Sequence, residues 1–295
     1  MGRSSAFVGG VEDSGEGRVD HGVLAGEVVA QHAKRIGLAA LRHTPELKLI
    51  YVSLTDRVQH AAAPGEALAD QFFIEFDRLL GDYLDAGCLV AITADHGMNS
   101  KHDATGEARV IHLEDILRDA GIAFDEIVLP IIDPYTKHHG ALGSFAWIYL
   151  ADIDRERARR ALTAVPGIEE VWDREASATI YEHPFDRIGD LAVTAAADTA
   201  LGRTASAHDL TQLHAALRSH GGRYEQLVPL IISEPVTGPL AECYAANVLR
   251  SRDIHDLVLN NTRSGGFRRE VVAGRTTGRH GGWGAVPIRP TVQDQ

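Results

Sequence analysis

Three short stretches of this 295-residue chain carry side chains that could bind a metal ion. Asp95 and His96 are adjacent and directly follow the apolar run 88–94, which predicts a buried strand. Carboxylate oxygens and imidazole nitrogens are ligands that Zn²⁺ accepts readily, and binding groups commonly lie at the carboxyl ends of strands. Gly97 has no Cβ, so the backbone there could turn sharply or pass close to a ligand. The alternative interpretation is an Asp-His-Gly turn that caps a helix.

The second stretch places an aspartate and a histidine four residues apart. Asp56 and His60 would share one face of a helical turn, where both side chains could hold one ion. A surface ion pair is the alternative. The strand candidate 47–53 directly precedes Asp56, so this pair would lie at the same kind of strand end as Asp95. This placement favours metal binding.

The third stretch is a histidine followed by two glycines. His220 precedes the apolar strand candidate 226–232, which could return the chain to the same edge of the sheet. Together with Asp56 and His60, it would give a site of three ligands with an open position for substrate. A solvated loop histidine is the alternative interpretation of His220.

The loop 133–140 contains a further pair, His138 and His139. Adjacent histidines can bind a metal ion or an anion, but histidines in loops are commonly only solvated. The pattern leaves both interpretations open.

An α/β framework must position these residues. The strand 47–53, the helix 68–86 and the strand 88–94 form a predicted βαβ unit with parallel strands. A helix from about residue 23 should end at Thr44, because the residue before a proline avoids the α conformation. The glycine- and serine-rich residues 1–20 are typical of a loop.

The remaining pattern predicts a core with an insertion. Further helices are predicted at 112–120, 154–165 and 254–260, and further strands at 126–132, 144–150, 168–172 and 191–195. We expect residues 1–130 and 210–262 to form the core, and residues 131–209 to form a small inserted α+β cap. The arginine- and glycine-rich residues 263–295 are expected to be a disordered tail.

Composition limits the partners and the compartment. The net charge of −12 argues against nucleic acid as a partner, and an anionic substrate would need local positive charge such as a bound metal. Cys88 and Cys243 lie in apolar contexts and are expected to be reduced. The sequence contains no apolar run long enough for a membrane span and no apolar signal core, which predicts a cytoplasmic protein. The oligomeric state stays open, with a homodimer as one alternative.

The motifs together resemble a known superfamily. Thr-Asp-Arg-Val-Gln-His at 55–60, Thr-Ala-Asp-His-Gly-Met-Asn at 93–99 and Arg-Ser-His-Gly-Gly at 218–222 resemble the alkaline phosphatase superfamily, and most closely its phosphonoacetate hydrolases. The segments 133–145 and 187–190 look like the cap of that family. The resemblance implies an alkaline-phosphatase-like fold, an α/β structure with a mostly parallel sheet flanked by helices and an inserted cap. It also implies cleavage of the C–P bond of phosphonoacetate to acetate and phosphate.

The resemblance implies two zinc ions at the carboxyl ends of the strands. Asp56, His60 and His220 would hold one ion, and Asp95 and His96 would supply part of the site for the other. The family completes the second site with an upstream aspartate and a threonine, which attacks phosphorus and is later freed by water. The substrate would be a small anionic phosphonate.

The chain departs from the family pattern ahead of Leu47. That stretch is short, and it shows neither a strand ending in a ligand aspartate nor a threonine at a helix start, nor the lysines that bind the substrate carboxylate. We therefore expect an N-terminally incomplete core with no assigned catalytic residue, one zinc bound well and a second bound poorly. In the cap, His138 and His139 are the candidates for binding substrate.

Two other functions stay open at this point. One is a phosphodiesterase or another phosphonate hydrolase of the same superfamily, since the cap and the lysines would decide the substrate. The other is a non-catalytic metal-binding remnant that needs a separate N-terminal chain.

Overall fold

The computed structural model describes residues 6–8, 36–44, 46–131, 142–213 and 216–263. The chain divides into two compact units, Met1–Ser233 and Glu234–Gln295. His138, His139 and nearly all of the predicted tail lie outside the described residues. The division into a core of 1–130 and 210–262 and a cap of 131–209 stays a prediction.

Helices and strands alternate along most of the described chain. The helices are α1 (described over 36–43), α2 (Arg57–Ala61), α3 (Ala67–Asp85), α4 (Leu113–Asp119), α5 (Asp152–Thr163), α6 (Arg174–Ile180), α7 (Ala241–Ala245) and α8 (Ile254–Asn260). The strands are β1 (Ala6–Val8), β2 (Ile50–Val52), β3 (Ala91–Thr93), β4 (Asn99–Ser100), β5 (Val110–His112), β6 (Glu126–Val128), β7 (Phe145–Tyr149), β8 (Ile168–Asp173), β9 (Leu191–Ala195), β10 (Ala200–Gly202), β11 (Arg218–Ser219) and β12 (Leu230–Ile232).

Strand pairing is parallel in part. β1 pairs with β2, and β10 pairs with β5, in parallel, whereas β12 pairs with β3 and β11 pairs with β4 in antiparallel fashion. The expectation that residues 1–20 form only loop is wrong at β1. Three residues between polar, glycine-containing flanks are too few to give an alternating pattern, and pairing with β2 decides the conformation instead.

Helix α3 supports the first two ligand-bearing segments. Its buried face includes Phe72, Leu79 and Tyr83, and the last two pack against apolar residues of β2 and of the chain entering β3. Full burial of a leucine side chain such as Leu79 stabilises a fold by roughly 1.5–3 kcal/mol. Gly37 of α1 lies so close to Tyr83 that a Cβ there would be 1.6 Å from its hydroxyl oxygen. The helix therefore fixes the strands whose ends carry Asp56 and Asp95.

Three strands within the range of the predicted cap, β7, β8 and β9, form an antiparallel sheet with β6, which precedes that range, in the order β6-β7-β9-β8. Every residue of β9 is buried, as expected for a central strand, and α4 and α5 contribute Leu113, Leu117 and Leu162 to the same apolar cluster. On α5, the arginines pair with acidic residues one turn earlier, as Arg157 does with Asp154 at 2.8 Å. The arginines of α5 therefore form mainly local ion pairs on the helix surface, and Arg155 also pairs with Asp190 at 3.3 Å.

The second unit contains α7 and α8. Asn261 links the start of this unit to the end of α8, because its carbonyl oxygen accepts from the Thr237 amide at 2.6 Å and its side-chain oxygen accepts from the Leu240 amide at 3.2 Å.

Both cysteines are free, as predicted. In the described parts of the chain, no helix combines the length and the apolar composition that a membrane span requires.

Candidate metal centre

Asp56 stands at the centre of the group of predicted ligands. It follows β2 as the N-cap residue of α2, and His60 lies in the last turn of the same helix. The helical spacing brings His60 Nε2 to 3.0 Å from Asp56 Oδ2. The sequence interpretation of these two residues as neighbours on one helical turn is therefore confirmed.

Two other histidines converge on the same carboxylate oxygen. His96 Nε2 lies 3.7 Å and His220 Nε2 lies 3.6 Å from Asp56 Oδ2. One potential ligand atom each from Asp56, His96 and His220 lies within 4.8 Å of the others. This group could hold a metal ion.

The backbone brings the histidine-bearing loops together. β11 pairs with β4, with Ser219 opposite Asn99, so the residue after β11 arrives next to the segment before β4. Gly221 then turns the chain with φ of +98°, a conformation that residues with a Cβ rarely adopt. His220 is held between these two features.

Backbone carbonyls orient two of the imidazoles. His60 Nδ1 lies 2.8 Å from the Arg218 carbonyl oxygen, and His96 Nδ1 lies 2.9 Å from the Gly97 carbonyl oxygen. A carbonyl can only accept, so each Nδ1 carries the hydrogen, and Nε2 is the ring nitrogen that faces Asp56 and would bind a metal. Histidine ligands of metals almost always donate their other ring nitrogen in this way. The residues present therefore fit a metal ion.

The electrostatics favour the ligand forms of two of these side chains. The hydrogen bond with His60 lowers the pKa of Asp56 to about 2, against the opposing effect of burial. Burial, followed by the charges of His96 and His60, lowers the pKa of His220 to about 4. At neutral pH Asp56 is thus a carboxylate and His220 a neutral imidazole, the states in which both bind metals.

Asp95 is placed differently from the other predicted ligands. Its side chain is 91% exposed, and its Oδ1 lies 3.7 Å from His96 Nε2. Asp95 therefore lies beside the group of Asp56, His96 and His220 without joining it. How these residues divide between one metal ion and two stays a prediction.

Two buried residues next to this group were missed by the sequence analysis. Lys101 and Glu225 form an ion pair with side-chain exposures of 0% and 1%. Lys101 stands in a polar stretch that is typical of a loop, and Glu225 precedes β12 without any periodic signal. A short-range pattern gives no sign that they meet.

Comparison with known proteins identifies the family. The profile of the type I phosphodiesterase / nucleotide pyrophosphatase family matches residues 8–223, which include all five predicted metal ligands. The chain belongs to this family. It is part of the alkaline phosphatase superfamily, as the sequence motifs predicted.

Solved structures of one relative confirm the resemblance and the α/β fold class. Phosphonoacetate hydrolase from Sinorhizobium meliloti 1021, in complex with phosphonoformate and with phosphonoacetate, is 41% identical, with a TM-score of 0.64 in each case. The match covers 69% of this chain and 49% of that chain. The chain thus spans about half the length of the relative that it matches.

Proposed function

We propose that the protein is a metal-dependent hydrolase of small phosphonates, with phosphonoacetate as substrate and zinc as the metal. The observation that carries this proposal is the convergence of His60, His96 and His220 on one oxygen of Asp56, with two ring orientations fixed by carbonyl groups. The 41% identity to a phosphonoacetate hydrolase supports the choice of substrate. Aspartate and histidine sites also accept manganese and iron, so the test must compare metals.

The ligands divide between two ions in this proposal. Asp56, His60 and His220 hold the first zinc, and His96 and Asp95 supply part of the second site. When bound, zinc supplies positive charge that attracts the phosphonate and stabilises negative charge developing on its oxygens. Asp56 offsets part of that charge, and the carbonyls of Arg218 and Gly97 keep the His60 and His96 rings oriented.

The reaction also needs a nucleophile. Within the described residues we assign none, and His138 and His139, the candidates for binding substrate, lie outside them. We therefore propose that the chain binds zinc at its three-ligand site and releases phosphate from phosphonoacetate weakly or not at all.

A phosphodiesterase is the second candidate function. The description of the family, type I phosphodiesterase / nucleotide pyrophosphatase, favours it. The same metal ligands would serve both reactions, because both place negative charge on oxygens bonded to phosphorus. A phosphodiester substrate such as bis(p-nitrophenyl) phosphate therefore belongs in the same assay as phosphonoacetate.

The deciding experiment measures zinc content and phosphate release in one sample. About one zinc per chain, lost in H220A and retained in the matched control H183A, would support the metal site; His183 is an exposed histidine outside the group. Two zincs with rapid phosphate release would show a complete enzyme and contradict the proposed weak turnover. Hydrolysis of the diester alone would favour the second candidate, and zinc binding without either activity would favour a metal-binding remnant.

A further inference from the structure

A buried ion pair lies next to the metal group and has no part in the function proposed above. Lys101 Nζ lies 2.9 Å from Glu225 Oε1, and both side chains are sealed from solvent. Burying two charges is costly unless the geometry is good and further hydrogen bonds complete it. Such a pair is weak evidence for stability, so its other contacts indicate what it does.

The Glu225 carboxylate joins the two segments that follow the histidines. Its Oε1 accepts from Asn99 Nδ2 at 2.6 Å as well as from Lys101, and its Oε2 accepts from the Gly222 amide at 2.8 Å. Gly222 is two residues beyond His220 in the chain. One carboxylate therefore connects the start of β4 to the turn after β11.

The Glu225 backbone makes a third connection to the same place. Its carbonyl oxygen accepts from the Gly97 amide at 2.6 Å, directly after His96. A Cβ at Gly97 would lie 3.3 Å from that oxygen, and a Cβ at Gly222 would lie 3.0 Å from Glu225 Oε2. The two glycines let Glu225 approach the backbone on both sides, next to His96 and close to His220.

Lys101 fixes the orientation of the carboxylate. Its Nζ also donates to the Ala197 carbonyl at 2.8 Å, and its backbone amide donates to the Leu217 carbonyl at 2.7 Å. The ammonium group therefore contacts both Glu225 and Ala197, and the backbone of Lys101 is bonded to Leu217. Burial lowers the pKa of Lys101, and the bond to Glu225 opposes that shift.

We propose that Lys101 and Glu225 are positioning residues of the metal centre. They hold the segments that follow His96 and His220 at a separation at which the two imidazole rings stack, with centroids 3.5 Å apart. This inference rests on the metal-dependent function proposed above. It assigns the pair no contact with metal or substrate.

The first test compares two buried carboxylates. Glu114 is 4% exposed and pairs with Arg118 and Arg203, so E114Q is a matched control for E225Q. Groups that orient metal ligands typically change metal affinity by about 10–100-fold when they are removed. We expect E225Q and K101M to raise the zinc dissociation constant by roughly that factor, and E114Q by less than about twofold. The double variant should resemble the worse single variant, because the pair acts as one unit.

A second readout does not depend on zinc. In the metal-free protein, NMR signals of the His96 and His220 ring protons report the stacking of the two rings. We expect E225Q to shift both signals and E114Q to leave both unchanged. If E225Q does not fold, E225D keeps the charge, shortens the side chain by one methylene group and should give the same two changes.

The outcomes separate this inference from the function on which it rests. Folded variants of Glu225 with wild-type histidine signals and wild-type zinc affinity would overturn the positioning role. A wild-type protein that binds no zinc, together with shifted histidine signals in E225Q, would refute the proposed function and support the positioning role.

Discussion

The imidazole rings of His96 and His220 lie face to face, with centroids 3.5 Å apart and planes 6° from parallel. Burial lowers the pKa of His220 most, and the charge of His96 lowers it further, because two protonated rings at this distance would repel each other. The contact therefore favours a neutral His220, the form in which imidazole binds a metal. In our proposal, each zinc ion would bind to a ring whose position is already set by this contact.

Substitution of individual histidines tests how the ligands divide between two ions. We expect H60A to remove the tighter zinc and H96A to remove only the weaker one, because His60 and Asp56 belong to the three-ligand site in our proposal. Calorimetric titration of the metal-free variants with zinc measures both steps. Loss of the tighter zinc in H96A, with H60A unaffected, would instead assign that ion to Asp56, His96 and His220, the group that is compact in the structure.

The turn after His220 requires glycine. G221A forces a residue with a Cβ into φ of +98°, which costs about 1–3 kcal/mol for a strained backbone conformation. We expect a corresponding loss in the free energy of unfolding by urea, and weaker zinc binding because His220 moves with the turn. The control is G65A, at φ of +89° with no atom near the added Cβ, which should lose stability and keep its zinc affinity. Equal zinc affinities in both variants would contradict a role of this turn in the site.

The Tyr181 phenol should lose its proton at a higher pH than an ordinary tyrosine. Burial, followed by the charge of Glu170, raises the pKa of Tyr181 to about 12 from its ordinary value of 10.0. Since the unfolded chain loses this proton first, the contribution to stability is complete below pH 10 and is lost as the pH rises through 12. The pKa values of Tyr83 and Tyr224 are also raised, so ultraviolet titration of the phenol absorbance should show a component near pH 12 whose amplitude falls by one tyrosine in Y181F and is unchanged in Y51F, at a half-exposed tyrosine. An unchanged amplitude near pH 12 in Y181F would disprove this assignment.

The packing of α3 can be tested away from the metal group. Leu79 is 3% exposed, and L79A should lower the free energy of unfolding by about 2–5 kcal/mol through lost burial and a cavity. L84A, at a position that is 46% exposed on the same helix, should stay within about 0.5 kcal/mol of wild type. Urea unfolding followed by circular dichroism measures both. Similar losses for the two variants would mean that Leu84 is covered in solution.

The sequence predicted the long and strongly periodic elements well. The helix predicted at 68–86 is found at Ala67–Asp85, and the one predicted at 254–260 is Ile254–Asn260. The expectation that His220 returns to the edge of the sheet that carries Asp56 agrees with the 3.6 Å between His220 Nε2 and Asp56 Oδ2, whereas Asp95 lies beside the group. These features depend on patterns within a short window of sequence.

Features that depend on distant partners could not be predicted in this way. β12 runs antiparallel to β3, and nothing in three apolar residues fixes the direction of a neighbour. The same holds for β5 and β10, which are short and were not predicted. Lys101 is an ordinary polar residue in the sequence and becomes buried only because Glu225 meets it.

The ion pair of Lys101 and Glu225 also sets an order of events in folding. Its members are 124 residues apart, so the pair forms only after a long loop has closed. Closing such a loop costs entropy before any contact repays it, and contacts of this range slow folding. During synthesis, the segment with Asp56 and His96 leaves the ribosome long before His220 does. We therefore expect the group of Asp56, His96 and His220 to be among the last parts of the first unit to assemble, and zinc uptake to report that the chain as far as Glu225 has folded.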